Sequence, residues 1–156
     1  PTTTQNMPMI WNPAGSGKNF FLKRVVAGYV SGAHVPGHLQ LSYVLNAGSQ
    51  IGTGSPIVSL TQVAGVNLML GGGNVSAMRF APATVTVVAA PTVLAPLGPS
   101  FLTALAATAA TPFILDIPCE VMVPPGVAIF VTHNVVSTII GAIALFGLEL
   151  PVPAIA

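Results

Sequence analysis

The sequence predicts an all-β protein, an antiparallel β-sandwich of the jelly-roll kind with at most one short helix, and three observations carry that reading. Fifteen prolines and sixteen glycines cut the 156 residues into short segments. The segments between them are rich in Val, Ile, Leu, Phe, Thr and Ala, mostly types that suit a pleated, half-buried surface. Turn signals recur often enough to separate about seven to nine strands, the pattern of a sandwich or barrel. The jelly roll is the preferred version of that sandwich.

Taken in order, residues 1–13 read as an extended N-terminal arm ending at Trp11-Asn12-Pro13, and Ala14-Gly15-Ser16-Gly17 reads as a hairpin turn. Phe20–Val30 follows as a strand with Phe21, Lys23 and Val25 expected on one face and Leu22, Arg24 and Val26 on the other, the strict period of two. A loop with Pro36-Gly37 precedes a strand over Leu39–Leu45. Further strands are expected at Pro56–Leu60, Val75–Phe80, Thr84–Val88, Phe113–Ile117, Glu120–Val123, Val127–His133 and Ser137–Leu150. Val123-Pro124-Pro125-Gly126-Val127 is a turn in which prolines fix the entry and glycine permits the reversal. Gly71-Gly72-Gly73-Asn74 reads as a loop, and Val63–Leu70 fits strand or helix. Ser100–Ala110, Ala/Leu-rich and free of Pro and Gly, is the one helix candidate. The whole makes a single domain over 14–150, with 151–156 as a C-terminal tail.

Charge is nearly absent. Lys18, Lys23, Arg24, Arg79, Asp116, Glu120 and Glu149 make up 4% of the chain, against about 25% in an ordinary soluble domain. Little net charge leaves little to oppose association, so much of the surface is expected to lie against other subunits. The Ala81–Thr111 stretch, Ala/Thr/Pro-rich and without charge, is expected along such an interface. A membrane span is not expected: Gly126–Gly147 is broken by Thr132-His133-Asn134, and Phe80–Leu115 by five prolines. Pro1-Thr2-Thr3-Thr4 has no basic or apolar leader character, which fits a protein made in the cytosol with its initiator methionine removed. The scattered basic residues predict no nucleic-acid partner.

Chemistry has few parts to work with. Asn12–Asn19 resembles a phosphate loop in its Gly15-Ser16-Gly17-Lys18, but Asn12 and Asn19 replace the glycine and hydroxyl such a loop needs. His34, His38 and His133 read as polar loop residues before zinc ligands. Asp116 and Glu120 read as strand-end carboxylates rather than an acid/base pair. Cys119 has no neighbouring base in sequence. Trp11, Tyr29 and Tyr43 could stack on a sugar, yet burial is the commoner fate of such rings. No enzyme activity, cofactor or metal is expected.

The segments Trp11–Asn19, Val123–Ala128 and Ala144–Pro151 resemble a loose group of small β-sandwich phage virion proteins, of the head-decoration, cement or short-fibre type. The resemblance implies a late structural protein, a homotrimer seated on the major capsid protein lattice in the phage head. It implies no catalytic residues. Met9, Ile10 and Trp11 in the arm, and Pro151, Val152 and Pro153 in the tail, are then the expected docking residues. The other function classes in play are a fibre or tail adhesin head that binds a host glycan, and the jelly-roll capsid protein itself.

Overall fold

The structure, a computed structural model, describes residues 4–5, 8–31, 37–46, 51–52, 55–60, 63–64, 76–81, 85–101, 113–135 and 140–153. Within them the chain is all-β and forms no helix. The strands are β1 (Thr4–Gln5), β2 (Met9–Asn12), β3 (Lys18–Ser31), β4 (Gly37–Leu45), β5 (Ile57–Leu60) and β6 (Val63–Ala64), then β7 (Arg79–Ala81), β8 (Val85–Val87), β9 (Thr92–Phe101), β10 (Phe113–Val123), β11 (Val127–His133) and β12 (Ile140–Pro151). Every pairing among them is antiparallel.

Three sheets result: a middle sheet in the order β6-β7-β2-β11-β4-β9, and two three-stranded sheets, β10-β3-β12 and β1-β8-β5. Apolar side chains alternate across the middle sheet and feed two separate cores. On one face Ile10, Leu39, Leu41, Ile129 and Val131 pack with Phe20, Leu22, Val25 and Val123 of the β10-β3-β12 sheet. On the other face Met9, Trp11, Ala128 and Phe130 pack with Ile57, Val85 and Val87 of the β1-β8-β5 sheet. The molecule is therefore a stack of three β-layers with its middle strands covered on both sides. That arrangement explains the unbroken run Val127-Ala128-Ile129-Phe130-Val131, since a strand buried on both faces need not alternate.

Several sequence expectations change here. Met9, Ile10 and Trp11 are not on a free arm: they belong to β2, which lies between β7 and β11, and their side chains are buried. Three successive residues with almost no polar character gain more from two-sided burial than from solvent. The turn after Asn12 does not close a hairpin, because β2 and β3 belong to different sheets. Ser16 N–H donates to Pro13 O at 3.0 Å, and Gly17, at φ 64°, redirects the chain between layers. The alternation expected along β3 fails at Lys23. A bulge there lets Phe146 pair with Arg24 and Gly147 with Leu22, so Lys23 is extra. Leu22 and Val25 consequently both face the core, while Lys23 and Arg24 are both exposed. Phe113–Ile117 and Glu120–Val123 merge into β10, whose register shifts between Asp116 and Val121 around Pro118. Within the Ala81–Thr111 stretch, Thr92–Phe101 is an edge strand on β4, with Pro96 and Pro99 on it. Ser100 and Phe101 close that strand. Residues 102–110, which complete the helix candidate, fall outside the described residues, as do the loop at 71–74 and most of 63–70.

Candidate interaction surface

Three segments far apart in sequence meet at one corner between the middle sheet and the β10-β3-β12 sheet. Asn12, fully buried at the end of β2, donates from Nδ2 to Val123 O and to Lys18 O, both at 2.8 Å. Its backbone carbonyl accepts from Gly126 N–H at 2.8 Å, and Gly126 O accepts from Asn46 N–H at 2.7 Å. Gly126 can serve both because Pro124–Val127 is a type II turn: Val127 N–H donates to Pro124 O, Pro125 takes the second position and Gly126 the third, at φ 86°. Trp11–Asn19 and Val123–Ala128 are thus joined through Asn12.

The third segment, Ala144–Pro151, joins through Glu149. Its carboxylate accepts from Lys18 Nζ at 3.2 Å, from Ala77 N–H at 3.2 Å and from the Ser76 hydroxyl. Burial pushes this carboxyl up; the Ser76 and Ala77 donors and the Lys18 charge outweigh it and hold the group below its ordinary value. Three donors fix the end of β12 against β3 and the 76–78 segment. The cluster acts as a clasp that ties β12 to β3 and to the 76–78 segment.

Beyond the clasp, β12 and β3 turn their other face outward. The register sets Met122, Phe21 and Leu148 in one row across the sheet, with Phe146 beside Arg24 and Leu150 beside Asn19. Met122, Phe146, Leu148 and Leu150 keep 38–52% of their area exposed. Phe21 is half-buried, and Pro151, Val152 and Pro153 continue the exposed path. The inner face of the same sheet carries Leu22, Val25, Val123, Ile143 and Leu145. Both faces of this sheet are therefore apolar, and one of them meets solvent.

The structure thus keeps Pro151, Val152 and Pro153 at the surface and withdraws Met9, Ile10 and Trp11 into the core. Sequence reasoning missed Phe21, Met122, Phe146 and Leu148. The signal was present in the alternation of Ala144, Phe146, Leu148 and Leu150 against Ile143, Leu145 and Gly147, apolar on both sides of the strand.

Other candidates stay apart. His38 and His133 lie at the Gly37 end of the β4–β11 pair, where Asn134 Oδ1 accepts from His38 N–H at 2.8 Å and His133 Nδ1 lies 2.9 Å from Val135 O; His34 is outside the described residues. Among those residues no three His, Cys, Asp or Glu side chains converge on a metal-sized site. No helix among them is long and apolar enough to cross a membrane. Trp11 is in the core, with its ring N–H buried and unpartnered, as are Asn12 Oδ1 and Gln40 Nε2. Comparison with known proteins adds no assignment: no protein-family model, no curated protein and no solved structure matches this chain.

Proposed function

We propose that this chain is a structural protein of a virion, a capsid decoration or cement subunit that strengthens a phage head by packing against neighbouring subunits. The observation that carries the reading is the kind of surface the fold leaves open. Leu45, Val88, Val93, Leu94, Met122, Phe146, Leu148, Leu150 and Val152 are all exposed, on a chain with seven charged residues. An apolar, nearly uncharged exterior is costly for a solitary protein and ordinary for one covered by partners. The role is mechanical: buried apolar area contributes roughly 25 cal/mol per Å², less the cost of association, and identical contacts repeated by symmetry multiply it. The partners are further copies of the chain, as the trimer implied by the resemblance, and the major capsid protein. The jelly-roll connectivity belongs to this proposal too. Catalysis has no part in it.

The test is solution mass followed by imaging. Purified protein at sub-micromolar concentration is expected to sediment as an oligomer, and particles carrying it are expected to show density on the outer shell. A soluble monomer that leaves particles unoccupied overturns the reading. Micromolar binding on a glycan array by a monomer moves the assignment to an adhesin.

A further inference from the structure

β12 is built in two parts. Its pairing with β3 runs from Gly141 to Phe146, shifts register, and resumes from Gly147 to Pro151. Before the shift, Ile143 and Leu145 pack on the first core. After it the inward positions hold Gly147, set against the Phe20 ring, and Glu149, while Leu148 and Leu150 stay exposed. No apolar side chain of residues 147–151 therefore anchors this end, and β12 is an edge strand with nothing but β3 beside it in the sheet. Pro151 has no N–H to give the ladder. What holds the end is its backbone pairing, continued by Val152 N–H donating to Gly17 O at 3.0 Å, and the Glu149 carboxylate on Lys18, Ser76 and Ala77. We propose that Glu149 is an acid-released latch: protonating its carboxylate frees residues 147–153 as a flap hinged at the Phe146/Gly147 bulge, while both cores stay folded. The latch needs no partner and so stands apart from the assembly reading above.

One proton acts on every side-chain contact of the joint. Hydrogen bonds to an ionised acceptor are the strong ones, and a neutral carboxyl accepts more weakly and no longer pairs with Lys18. The surrounding charge adds to the effect. Lys18 reaches the carboxylate from β3, and Arg79 of β7 lies on the other side of the joint, its Nη1 3.4 Å from Ser76 O and 3.5 Å from Met78 O. Lys23 and Arg24 sit farther along β3, at the hinge, and β10 with Asp116 and Glu120 pairs with the opposite edge of β3. Neutralising Glu149 thus leaves Lys18 and Arg79 as like charges across the joint, which favours opening. The Ser76, Ala77 and Lys18 contacts hold the carboxyl below its ordinary value, so the latch is shut at neutral pH and opens as pH falls through that lowered value. An edge segment with little burial is the kind that opens below the free energy of global unfolding.

Amide hydrogen exchange read as protection factors, which divide out the intrinsic pH dependence of exchange, tests this. Between about pH 7 and about pH 3, residues 147–152 are expected to fall to nearly the protection of an unstructured chain, while 127–133 in β11 stays at least about a hundredfold higher. Glu149→Gln is expected to lower protection of 147–152 at least about tenfold at neutral pH and to lose the acid step. Ser76→Ala, which removes one donor, is expected to move the opening to higher pH. The latch is overturned if the two segments lose protection together at every pH, since acid then acts only on the whole molecule. It is equally overturned if 147–152 ignores acid, or if Glu149→Gln keeps the wild-type acid step. Should Glu149→Gln fail to fold, Ser76→Ala decides alone: an unmoved opening pH ends the proposal.

Discussion

Asn12 ties the end of β2 to β3 and β10 with one amide. Its Nδ2 satisfies the carbonyls of Val123 and Lys18, both inside the corner. Removing it leaves two acceptors unpaired, at about 1–3 kcal/mol each. Asn12→Ala is therefore expected to destabilise by about 2–4 kcal/mol in urea titration. Asn12→Asp is expected to cost more than alanine, because it turns a carboxylate onto two carbonyl oxygens. Glu149 makes the matching prediction in pH. Its folded-state value lies below the ordinary one, so its stabilisation is complete above the unfolded value near 4.5 and drains away as pH falls through the folded value. Thermal unfolding of the wild type should drop in that acid window. Glu149→Gln should start less stable at neutral pH and lose this part of the acid dependence; an unchanged acid limb would show that other carboxylates set it. Gly147 is a third single-residue constraint: a Cβ there would lie 2.3 Å from the Phe20 ring and 2.4 Å from Phe21 O. Gly147→Ala must push the strand off a buried ring, an overpacking cost of about 1–3 kcal/mol.

At the scale of elements, β11 is the strand on which both cores depend. Ile129 faces one cluster and Phe130 the other. Phe130→Ala is expected to cost about 3–5 kcal/mol by denaturant midpoint, as large-to-cavity changes in closed interiors do. A loss under 1 kcal/mol would mean that the β1-β8-β5 layer can collapse onto the gap. This strand was legible in sequence: Val127–His133 was bounded by a Pro-Pro-Gly turn and a polar stop, and its limits match. The turn itself was legible for the same reason, since Pro125 and Gly126 fill the two positions a type II turn restricts. Other elements were hidden by physics that acts at long range. Nothing local separates Met9–Trp11 on an arm from Met9–Trp11 in a central strand; only the arrival of β7 and β11 on either side decides it. The bulge at Lys23 was hidden because period-two reasoning has no term for an extra residue. Asn12 looked like a failed phosphate-loop position, and its role appears only when Val123 comes within 2.8 Å.

For the whole molecule, the scarcity of charge has a consequence for how association responds to conditions. Seven Asp, Glu, Lys and Arg side chains serve 156 residues, and Lys18 and Glu149 pair with each other within the chain. Little remains for salt to screen across an interface. Raising sodium chloride from about 0.05 to 1 M shortens the screening length from over 10 Å to about 3 Å, which abolishes long-range attraction between exposed charges. Association through the apolar sheet face should nevertheless hold or tighten under that change. Cooling should act in the opposite sense, because apolar burial has little enthalpy near room temperature and a large negative heat capacity, so its driving force fades toward 0 °C. Sedimentation equilibrium across both variables distinguishes the causes. A constant that varies less than threefold with salt and weakens on cooling is the expected result. A tenfold or greater loss in high salt would instead show that charged side chains carry the contact.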